Sequence, residues 1–457
     1  MSVVIAGERS GVGKTTVTLA LLAALCRRNP QRVQSFKVGP DYIDPMFHQF
    51  VTGRACRNLD PILTSESYVG QCFQRHSGSA DYALVEGVMG LFDGVTGKDD
   101  TASTAHVARI LGLPIILVIN CSSTSRSIAA IAHGYSTFDP RLTIAGVVLN
   151  QVGSDRHLEL LQDALAPLHL PILGVLRRHD PITIPDRHLG LIPTEELPQM
   201  KTVVEHLAHL GETCFNWELL SPLLQTAAPS SVPSSASCGS TAPTADLLFS
   251  SPDSCVSSGL PVPPAPPASS PCVRLAIARD RAFNFYYADN LDLLKSVGFE
   301  LVEWSPINDS RLPDDIHGLY FGGGFPEVFA PQLSQNHSAR QAVKTAIATG
   351  MPTYAECGGL MYLCDRIIDF AEQEYPMVGL LSTQAHMGKR LTLGYRQAIA
   401  QRSTPLIAAG ETIWGHEFHR STLLNQPGSP LFALQNYEGT VHQTEGWQQL
   451  QVHASYL

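Results

Sequence analysis

A glycine-rich loop close to the start of the chain constrains its fold more than any other feature. Residues 7–16 read GERSGVGKTT, with the β-branched run SVVIA before them and the apolar stretch VTLALLAALC after them. A strand, a glycine turn and a helix that opens with Gly-Lys-Thr form a loop whose backbone N–H groups hold phosphate. The pattern therefore predicts a nucleotide-binding α/β domain, and the alternative is a glycine-rich turn without a ligand.

The residue types in this loop suit ATP and Mg²⁺. Lys14 supplies charge to the β- and γ-phosphates, and the Thr15 hydroxyl is a ligand for Mg²⁺. Glu8 stands where the common GxxxxGK[ST] pattern has glycine, and this variant resembles the dethiobiotin-synthetase and partition-ATPase branch of P-loop proteins. The predicted nucleotide-binding residues are Gly11, Gly13, Lys14, Thr15, Thr16 and Asn150. Asn150 ends the strand GVVLN, and a simple strand terminus is an equally good reading of it.

The wider pattern predicts two α/β domains. Apolar strands recur near residues 82–85, 114–119, 145–149 and 172–175, which predicts a largely parallel sheet covered by helices on both faces. Residues 221–271 are rich in Ser, Pro and Ala and poor in charge, which is typical of a disordered linker. A second strand–helix pattern starts at Val273. We therefore expect domains at 1–220 and 272–457, joined by this linker.

A group of charged residues is expected at the carboxyl edge of the first sheet. FKVGPDYIDP, residues 36–45, follows one predicted strand, and Glu86 follows another. Ligands of open α/β sheets bind at that edge, and activation of a carboxylate needs Mg²⁺ and an anion clamp in one place. The predicted ligase site consists of Lys37, Asp41, Tyr42, Asp44 and Glu86, with Thr15, Asp41 and Glu86 as metal ligands. The alternative is that Asp41 and Asp44 only cap a turn. Asp93, and Asp60 in the RNLDP segment, are weaker candidates for the site.

The segment YAECGGLMY, residues 354–362, predicts a nucleophile elbow: a strand, Cys357, two glycines that permit a tight turn, and a new helix. The N–H groups at the start of that helix are expected to lower the pKa of the thiol. GGGFPE follows another strand, and its Gly323 and Gly324 are predicted to form an oxyanion hole. These parts suit amide hydrolysis through a thioester, and the alternative is a buried structural cysteine. The sequence does not choose a base among His416, His419, His442 and His453.

Together these motifs resemble the cobyrinic acid a,c-diamide synthase family of cobalamin biosynthesis. The resemblance runs through FKVGPDYIDP, RNLDP, VEGVMGLFDG, RLAIARDRAFNFYY, GGGFPE, YAECGGLMYL and GHEFHRS, and covers nearly the whole chain outside residues 221–271. It implies an N-terminal, dethiobiotin-synthetase-like P-loop domain and a C-terminal class I, triad-type glutamine amidotransferase domain. It also implies that ATP and Mg²⁺ phosphorylate two corrin acetate carboxylates, and that ammonia released from glutamine at Cys357 attacks the acyl phosphates.

The last residues depart from the family pattern. The family typically closes with A-S-Y-x-H-x-H, whose histidine partners the cysteine, whereas this sequence reads HASYL over residues 453–457. Either the chain is truncated or an upstream histidine substitutes. We expect truncation, and with it weak glutaminase activity while amidation survives on free ammonia.

Composition restricts the partners. The net charge is −10 with scattered Lys and Arg, which argues against nucleic acid or an anionic membrane as a partner. The family resemblance implies corrinoid, glutamine and ATP as the partners. Ten cysteines without a CxxC pair, and no signal-peptide pattern, predict a cytoplasmic protein; a homodimer is compatible with the sequence. Two rival functions stay open: diamidation of hydrogenobyrinic acid or nickel-sirohydrochlorin, and a P-loop switch ATPase with a vestigial glutaminase domain.

Overall fold

The computed structural model describes residues 2–28, 32–178, 186–187, 190–191, 193–196, 199–225, 273–404 and 406–457. Most of the predicted linker, residues 226–271, lies outside these ranges. None of the described helices combines the length and the apolar character that a membrane span needs.

The first domain alternates strands and helices. Its strands are β1 (Val3–Gly7), β2 (Val33–Val38), β3 (Arg57–Leu59), β4 (Tyr82–Glu86), β5 (Ile115–Asn120), β6 (Ile144–Val152), β7 (Ile172–Arg177) and the short pair β8 (Asp186–Arg187) and β9 (Gly190–Leu191). Its helices are α1 (Lys14–Arg28), α2 (Ile43–Thr52), α3 (Glu66–Ser77), α4 (Thr104–Leu111), α5 (Ser127–Thr137), α6 (Asp155–Leu165), α7 (Met200–Thr213) and α8 (Trp217–Leu224), with 3-10 turns at Ala166–Leu168 and Thr194–Glu196.

Seven of these strands form one sheet in the order β3-β2-β4-β1-β5-β6-β7, and every neighbouring pair is parallel. β1 and β5 are buried along almost their whole length, because helices cover both faces of a parallel sheet. This arrangement confirms the predicted fold of the first domain. It brings the loops after β1, β2 and β4 to one edge of the sheet, where ligands of such sheets bind.

Several helices of this domain start at a serine. The side chains of Ser65, Ser103 and Ser154 accept hydrogen bonds from backbone N–H groups in the first turns of α3, α4 and α6. Each of these bonds satisfies a donor that the helix itself cannot pair. Gly112 ends α4 at φ 61°, a left-handed conformation that glycine adopts without strain.

The last described helix of the first domain crosses residue 220, and the predicted domain bounds stay a prediction. Helix α8 continues to Leu224, and both Leu220 and Leu224 are fully buried in the core of this domain. The apolar spacing within WELLSPLL, rather than the first Ser and Pro, therefore sets where the described part of the domain ends.

The second domain is also α/β. Its strands are β10 (Val273–Ala278), β11 (Phe299–Trp304), β12 (Gly318–Phe321), β13 (Thr353–Glu356), β14 (Cys364–Ile368), β15 (Glu374–Pro376), β16 (Leu381–Ala400), β17 (Thr412–Leu423), β18 (Phe432–Gln435), β19 (Val441–Glu445), β20 (Trp447–Gln449) and β21 (Val452–Ser455). Its helices are α9 (Ala288–Ser296), α10 (Ala330–Gln335), α11 (His337–Ala348) and α12 (Gly358–Leu363).

Two sheets divide these strands. One has the order β11-β10-β12-β13-β21-β20 and is parallel except for the last pair. The other has the order β15-β14-β16-β18-β19, and β17 pairs with β16 in a long antiparallel hairpin. The domains share apolar contacts, since Phe285 and Phe325 of the second domain belong to the same buried cluster as Ile43 and Phe47 of the first.

Helix α7 covers α1 at very short range, and Gly211 makes this possible. A Cβ atom at Gly211 would lie 2.1 Å from the carbonyl oxygen of Ala20 and 2.7 Å from Cβ of Ala24. We expect Gly211→Ala to lower the free energy of unfolding by about 1–3 kcal/mol, because the two helices must separate to admit the methyl group. Chemical denaturation of the full chain measures this change.

The matched control is Gly134→Ala in the middle of α5, where an added Cβ would meet no atom within 4 Å. Because alanine favours helix over glycine, we expect that variant to gain up to about 1 kcal/mol. Equal effects of the two substitutions would contradict the close approach of α7 and α1.

Candidate active site

The glycine-rich loop connects β1 to α1 as predicted. Gly11 and Gly13 have φ angles of 76° and 95°, which glycine adopts without strain. Nδ2 of Asn150 donates to the carbonyl oxygen of Val12 at 2.8 Å and would lie 2.3 Å from a Cβ at Gly13. Asn150 therefore fixes the loop from near the end of β6, and the nucleotide contact predicted for it stays a prediction.

Lys14 is buried at the mouth of this loop. Its ammonium donates to the carbonyl oxygen of Arg9 at 3.3 Å and to that of Met89. Burial, together with the nearby charge of Lys37, lowers the pKa of Lys14 to about 8. An anion beside this ammonium would offset both effects, which is what the phosphates of a nucleotide supply.

Glu86 lies at the centre of the charged group. Lys37 in β2 and Glu86 in β4 face each other in the strand register, and Lys37 Nζ lies 3.0 Å from Glu86 Oε1. The Thr15 hydroxyl donates to Oε1 at 2.7 Å, and His48 Nε2 lies 2.6 Å from Oε2. Burial opposes the charge, but Lys37 and His48 outweigh it and hold the pKa of Glu86 well below its usual range.

The two aspartates of the GPDYIDP segment have different positions. Asp44 Oδ2 lies 2.5 Å from Lys37 Nζ and 3.5 Å from the Thr15 hydroxyl. Asp41 Oδ1 accepts the backbone N–H groups of Ile43 and Asp44 at 2.8 and 3.0 Å, at the start of α2. The structure therefore places Asp44, not Asp41, beside Thr15 and Glu86, because one oxygen of Asp41 caps the helix. Burial and the neighbouring Asp41 raise the pKa of Asp44 to about 7.

Thr15, Asp44 and Glu86 lie together in the structure, whereas the predicted metal set of Thr15, Asp41 and Glu86 stays a prediction. The Thr15 hydroxyl and the carboxylates of Asp44 and Glu86 offer hard oxygen ligands in one place, which fits the chemistry of Mg²⁺. Lys37 holds the same carboxylates in the structure. An ion bound here would therefore share Asp44 and Glu86 with that ammonium.

A cavity of about 780 Å³ opens above this group and lies between the two domains. Asp41, Tyr42 and Asp44 line it on the side of the first domain. The β16–β17 hairpin supplies the opposite wall, with Leu393, Tyr395, Arg396, His416 and Phe418. The cavity thus joins carboxylates of one domain to a wall of the other that is mainly apolar and aromatic and also carries Arg396 and His416.

Cys357 lies in a sharp elbow between β13 and α12. Its φ and ψ angles of 45° and −97° are unusual for a residue with a side chain, and its N–H donates to the carbonyl oxygen of Ser455 at 2.8 Å. A Cβ at Gly359 would lie 2.5 Å from the carbonyl oxygen of Phe321, so only glycine fits there. The neighbouring strands β12 and β21 therefore fix the strained turn that presents the thiol.

The helix acts on this thiol in the expected direction, but the net pKa is raised rather than lowered. Burial, with smaller contributions from Glu327, Glu356 and Glu417, raises the pKa of Cys357 to about 12. The N–H of Gly358 lowers it, but not enough to compensate. Because α12 has only six residues, its N-terminus lowers the pKa of the thiol by a small amount. Desolvation and the three nearby carboxylates raise the pKa by more.

The predicted oxyanion donors lie next to the elbow. A Cβ at Gly358 would approach the backbone nitrogen of Gly324 to 3.0 Å and the carbonyl carbon of Gly323 to 3.4 Å. Gly324 itself has a φ of 154°. This close approach of two backbones leaves the Gly323–Gly324 peptide beside the site where an amide would react.

The histidines do not supply an evident base for Cys357. His416 faces the cavity between the domains, and burial and then Arg396 lower its pKa to about 4. His453 is buried beside Tyr354 and Phe432, and burial lowers its pKa to about 4 as well. The side chain of His442 lies outside the described part of the chain.

His419 lies beside a carboxylate that also acts on the thiol. Its Nδ1 lies 2.9 Å from the carbonyl oxygen of Ser421, its Nε2 lies 3.6 Å from Glu417, and its ring stacks on Tyr456 at 3.9 Å. Glu417 also raises the pKa of Cys357. The choice of base among the histidines stays open.

The sequence interpretation missed Glu356, the residue before the nucleophile. The hydroxyls of Tyr320 and Tyr354 donate to its carboxylate at 3.2 and 2.8 Å, and burial raises its pKa to about 7. The sequence shows that Glu356 precedes Cys357 in YAEC. The alternation of a strand does not show that its carboxylate is held by two tyrosine hydroxyls. Tyr42, predicted for the ligase site, stacks on Tyr287 at 4.3 Å and so belongs to the domain boundary as well.

Comparisons with known proteins agree with this geometry. Residues 3–192 match the family described as CobQ/CobB/MinD/ParA nucleotide binding domain, and residues 274–457 match the CobB/CobQ-like glutamine amidotransferase domain. A cobyrinate a,c-diamide synthase from Synechococcus sp. is 63% identical over 457 residues, which cover 100% of this chain and 94% of that protein. A second, from Synechocystis sp., is 52% identical, covering 100% of this chain and 90% of that protein.

A hydrogenobyrinate a,c-diamide synthase from Streptomyces coelicolor is 42% identical, covering 99% of this chain and 93% of that protein. The fold and the two sites define a P-loop ligase joined to a glutamine amidotransferase. Given identities above 50% over its full length, the chain belongs to the cobyrinate a,c-diamide synthase family.

Alkylation of Cys357 by iodoacetamide is expected to accelerate about tenfold per pH unit between pH 7 and pH 10. The reason is that only the thiolate reacts, and the pKa of this thiol is raised to about 12, so the reactive fraction grows with each unit. Mass spectrometry of the peptide that contains Cys357 measures the rate, with the Cys357→Ala chain as the blank. A rate that levels off below pH 9 would show that the thiol is far more acidic.

Proposed function

We propose that this chain amidates the a and c acetate carboxylates of cobyrinic acid, using ATP and ammonia taken from glutamine. The observation that carries the proposal is the cavity between the domains. It joins the carboxylates Asp41 and Asp44 to a wall that carries Leu393, Tyr395 and Phe418, and its volume of about 780 Å³ suits a large ligand with apolar surface. The names of the relatives support the same reaction.

The first half-reaction is carboxylate activation. The glycine loop and Lys14 hold the phosphates of ATP, and an acetate oxygen of the corrin attacks the γ-phosphorus while ADP leaves. Thr15, Asp44 and Glu86 would hold Mg²⁺, which neutralises charge on the phosphates when bound. Lys37 lies 2.5 Å from Asp44 and 3.0 Å from Glu86, so its charge balances these carboxylates in the absence of a metal ion.

The second half-reaction supplies ammonia. The Cys357 thiolate attacks the side-chain amide carbon of glutamine, and the N–H groups of Gly323 and Gly324 stabilise the oxyanion. The amide nitrogen takes up the proton that the thiol lost, so collapse of this intermediate releases ammonia and leaves a γ-glutamyl thioester, which water hydrolyses to glutamate. The ammonia attacks the acyl phosphate, phosphate leaves, and the amide results.

Substitution at the two sites separates these half-reactions. We expect Cys357→Ala to abolish amidation driven by glutamine, because the thiol is the nucleophile, while amidation driven by ammonium chloride continues. Glu86→Gln is expected to abolish both, since it removes the buried charge that Thr15 and Lys37 hold. Mass spectrometry of the corrinoid product measures each activity. Loss of the ammonia-driven reaction in a folded Cys357→Ala chain would contradict this division.

The aromatic wall of the cavity is expected to bind the macrocycle. Phe418→Ala should raise KM for cobyrinic acid about tenfold, because it removes apolar surface that the ring covers, and should leave KM for ATP unchanged. Phe370→Ala is the control, since this phenylalanine is 46% exposed and lies outside the cavity lining. Equal KM values in the two variants would place the macrocycle elsewhere.

The rival functions predict other outcomes. Offering hydrogenobyrinic acid beside cobyrinic acid tests the metal-free ring that the Streptomyces coelicolor relative is named for. A switch ATPase would hydrolyse ATP without making any amide.

A cytoplasmic location agrees with the absence of a disulfide among the seven described cysteines. A homodimer stays a prediction that mass measurement of the native protein decides.

A further inference from the structure

The RNLDP segment, residues 57–61, lies outside the charged group of the ligase site. The guanidinium of Arg57 forms ion pairs with the second domain. Its Nη1 lies 2.6 Å from Asp289 Oδ1 and 2.7 Å from Asp292 Oδ2. Both aspartates belong to α9, and Asp289 is in its first turn. Arg57 is 10% exposed and Asp289 is 19% exposed, so this ion pair is mostly shielded from water.

Other groups of the first domain surround the same carboxylate. Cys72 Sγ donates to Asp289 Oδ2 at 3.3 Å, and His76 Nε2 lies 3.7 Å from Oδ1. Cys72, His76 and Asp289 have the spacing of a three-ligand metal site. The guanidinium of Arg57 takes the Asp289 oxygen and places a positive charge where the cation would sit, so we interpret the group as a clasp between domains.

Asp60, in the same segment, holds a different element of the second domain. Its Oδ1 accepts the backbone N–H groups of Ile62 and Leu63, both at 2.9 Å. Its Oδ2 accepts the hydroxyl of Tyr395 at 2.8 Å. Tyr395 belongs to β16 and lines the cavity between the domains. One short segment therefore contacts both α9 and the β16–β17 hairpin.

A third contact lies between these two. The hydroxyl of Tyr287, the residue before α9, donates to the carbonyl oxygen of Pro40 at 3.0 Å. The ring of Tyr287 stacks on Tyr42 at a centroid distance of 4.3 Å. The start of α9 is thus joined to the loop that carries Asp41 and Asp44.

We propose that Arg57 and Asp60 are positioning residues that dock the amidotransferase domain over the ligase site. Arg57 fixes α9 through Asp289 and Asp292, and Asp60 fixes the cavity wall through Tyr395. This docking holds the β16–β17 wall of the cavity opposite Asp41 and Asp44. It also keeps released ammonia close to the acyl phosphate. The kinetic test of this inference rests on the proposed function, whereas the hydrogen-exchange test depends only on the contacts between the domains.

The shielding of these groups makes their loss costly. Removing one member of a shielded ion pair leaves the partner charge without compensation, and such changes weaken an interface more than loss of an exposed pair does. Tyr395→Phe is milder, because it removes only the hydroxyl on Asp60 and leaves the ring at the cavity. The two changes probe the two contacts of the segment separately.

The kinetic experiment compares Arg57→Gln with Arg109→Gln in the full chain. Arg109 also bridges two carboxylates, Asp100 at 2.6 Å and Asp139 at 2.9 Å, and is 16% exposed, but all three residues lie within the first domain. We expect Arg57→Gln to raise KM for cobyrinic acid about tenfold in the ammonia-driven reaction, with kcat and KM for ATP little changed. With glutamine, it should also lower the ratio of amide formed to glutamate released. Arg109→Gln should change neither quantity.

Hydrogen exchange supplies a readout that does not depend on activity. Amides of α9 and of β16 around Tyr395 should exchange faster in Arg57→Gln and Tyr395→Phe than in Arg109→Gln, and Arg57→Lys should restore part of the protection. Unchanged protection and unchanged KM in Arg57→Gln would overturn the docking role. If the parent chain makes no amide from cobyrinic acid, the proposed function fails, and hydrogen exchange still decides the docking role.

Discussion

The buried carboxylate of Glu86 is the interaction on which the first domain depends. It is fully buried, and a carboxylate in that position would be strongly unfavourable without its partners. Those partners come from three separate elements: Thr15 opens α1, Lys37 ends β2, and His48 lies in α2. A single negative charge therefore holds the phosphate loop, the second strand and the GPDYIDP helix in one arrangement.

Local patterns in the sequence predicted much of this arrangement. The strand–loop–helix pattern at Lys14, the carboxylate that ends β4 and the elbow at Cys357 are where they were expected, because each depends on residues adjacent in the chain. The choice between Asp41 and Asp44 was not predictable, because it depends on which residue starts α2 and therefore which carboxylate the helix N–H groups occupy.

Long-range contacts account for the remaining differences. The sequence offered His416 as a base for Cys357, but the β16–β17 hairpin carries it across to the other site. The pKa of Cys357 depends first on burial and then on three carboxylates. Glu356 precedes the cysteine in the chain, but Glu327 and Glu417 come from segments that only the folded second domain brings to it. A helix end can be read from neighbouring residues, whereas the loss of water around a side chain cannot.

The apolar cluster shared by the domains limits how this protein can be divided. Phe285 and Phe325 are almost completely buried in a core whose other members, such as Phe47 and Leu84, belong to the first domain. A gene fragment that encoded only the ligase half would leave a cleft where these two rings had been, and the remaining half would display both phenylalanines to solvent. Exposed apolar surfaces of that kind favour self-association. Cutting the chain within the Ser-, Pro- and Ala-rich segment would therefore yield two fragments that associate rather than two independent enzymes.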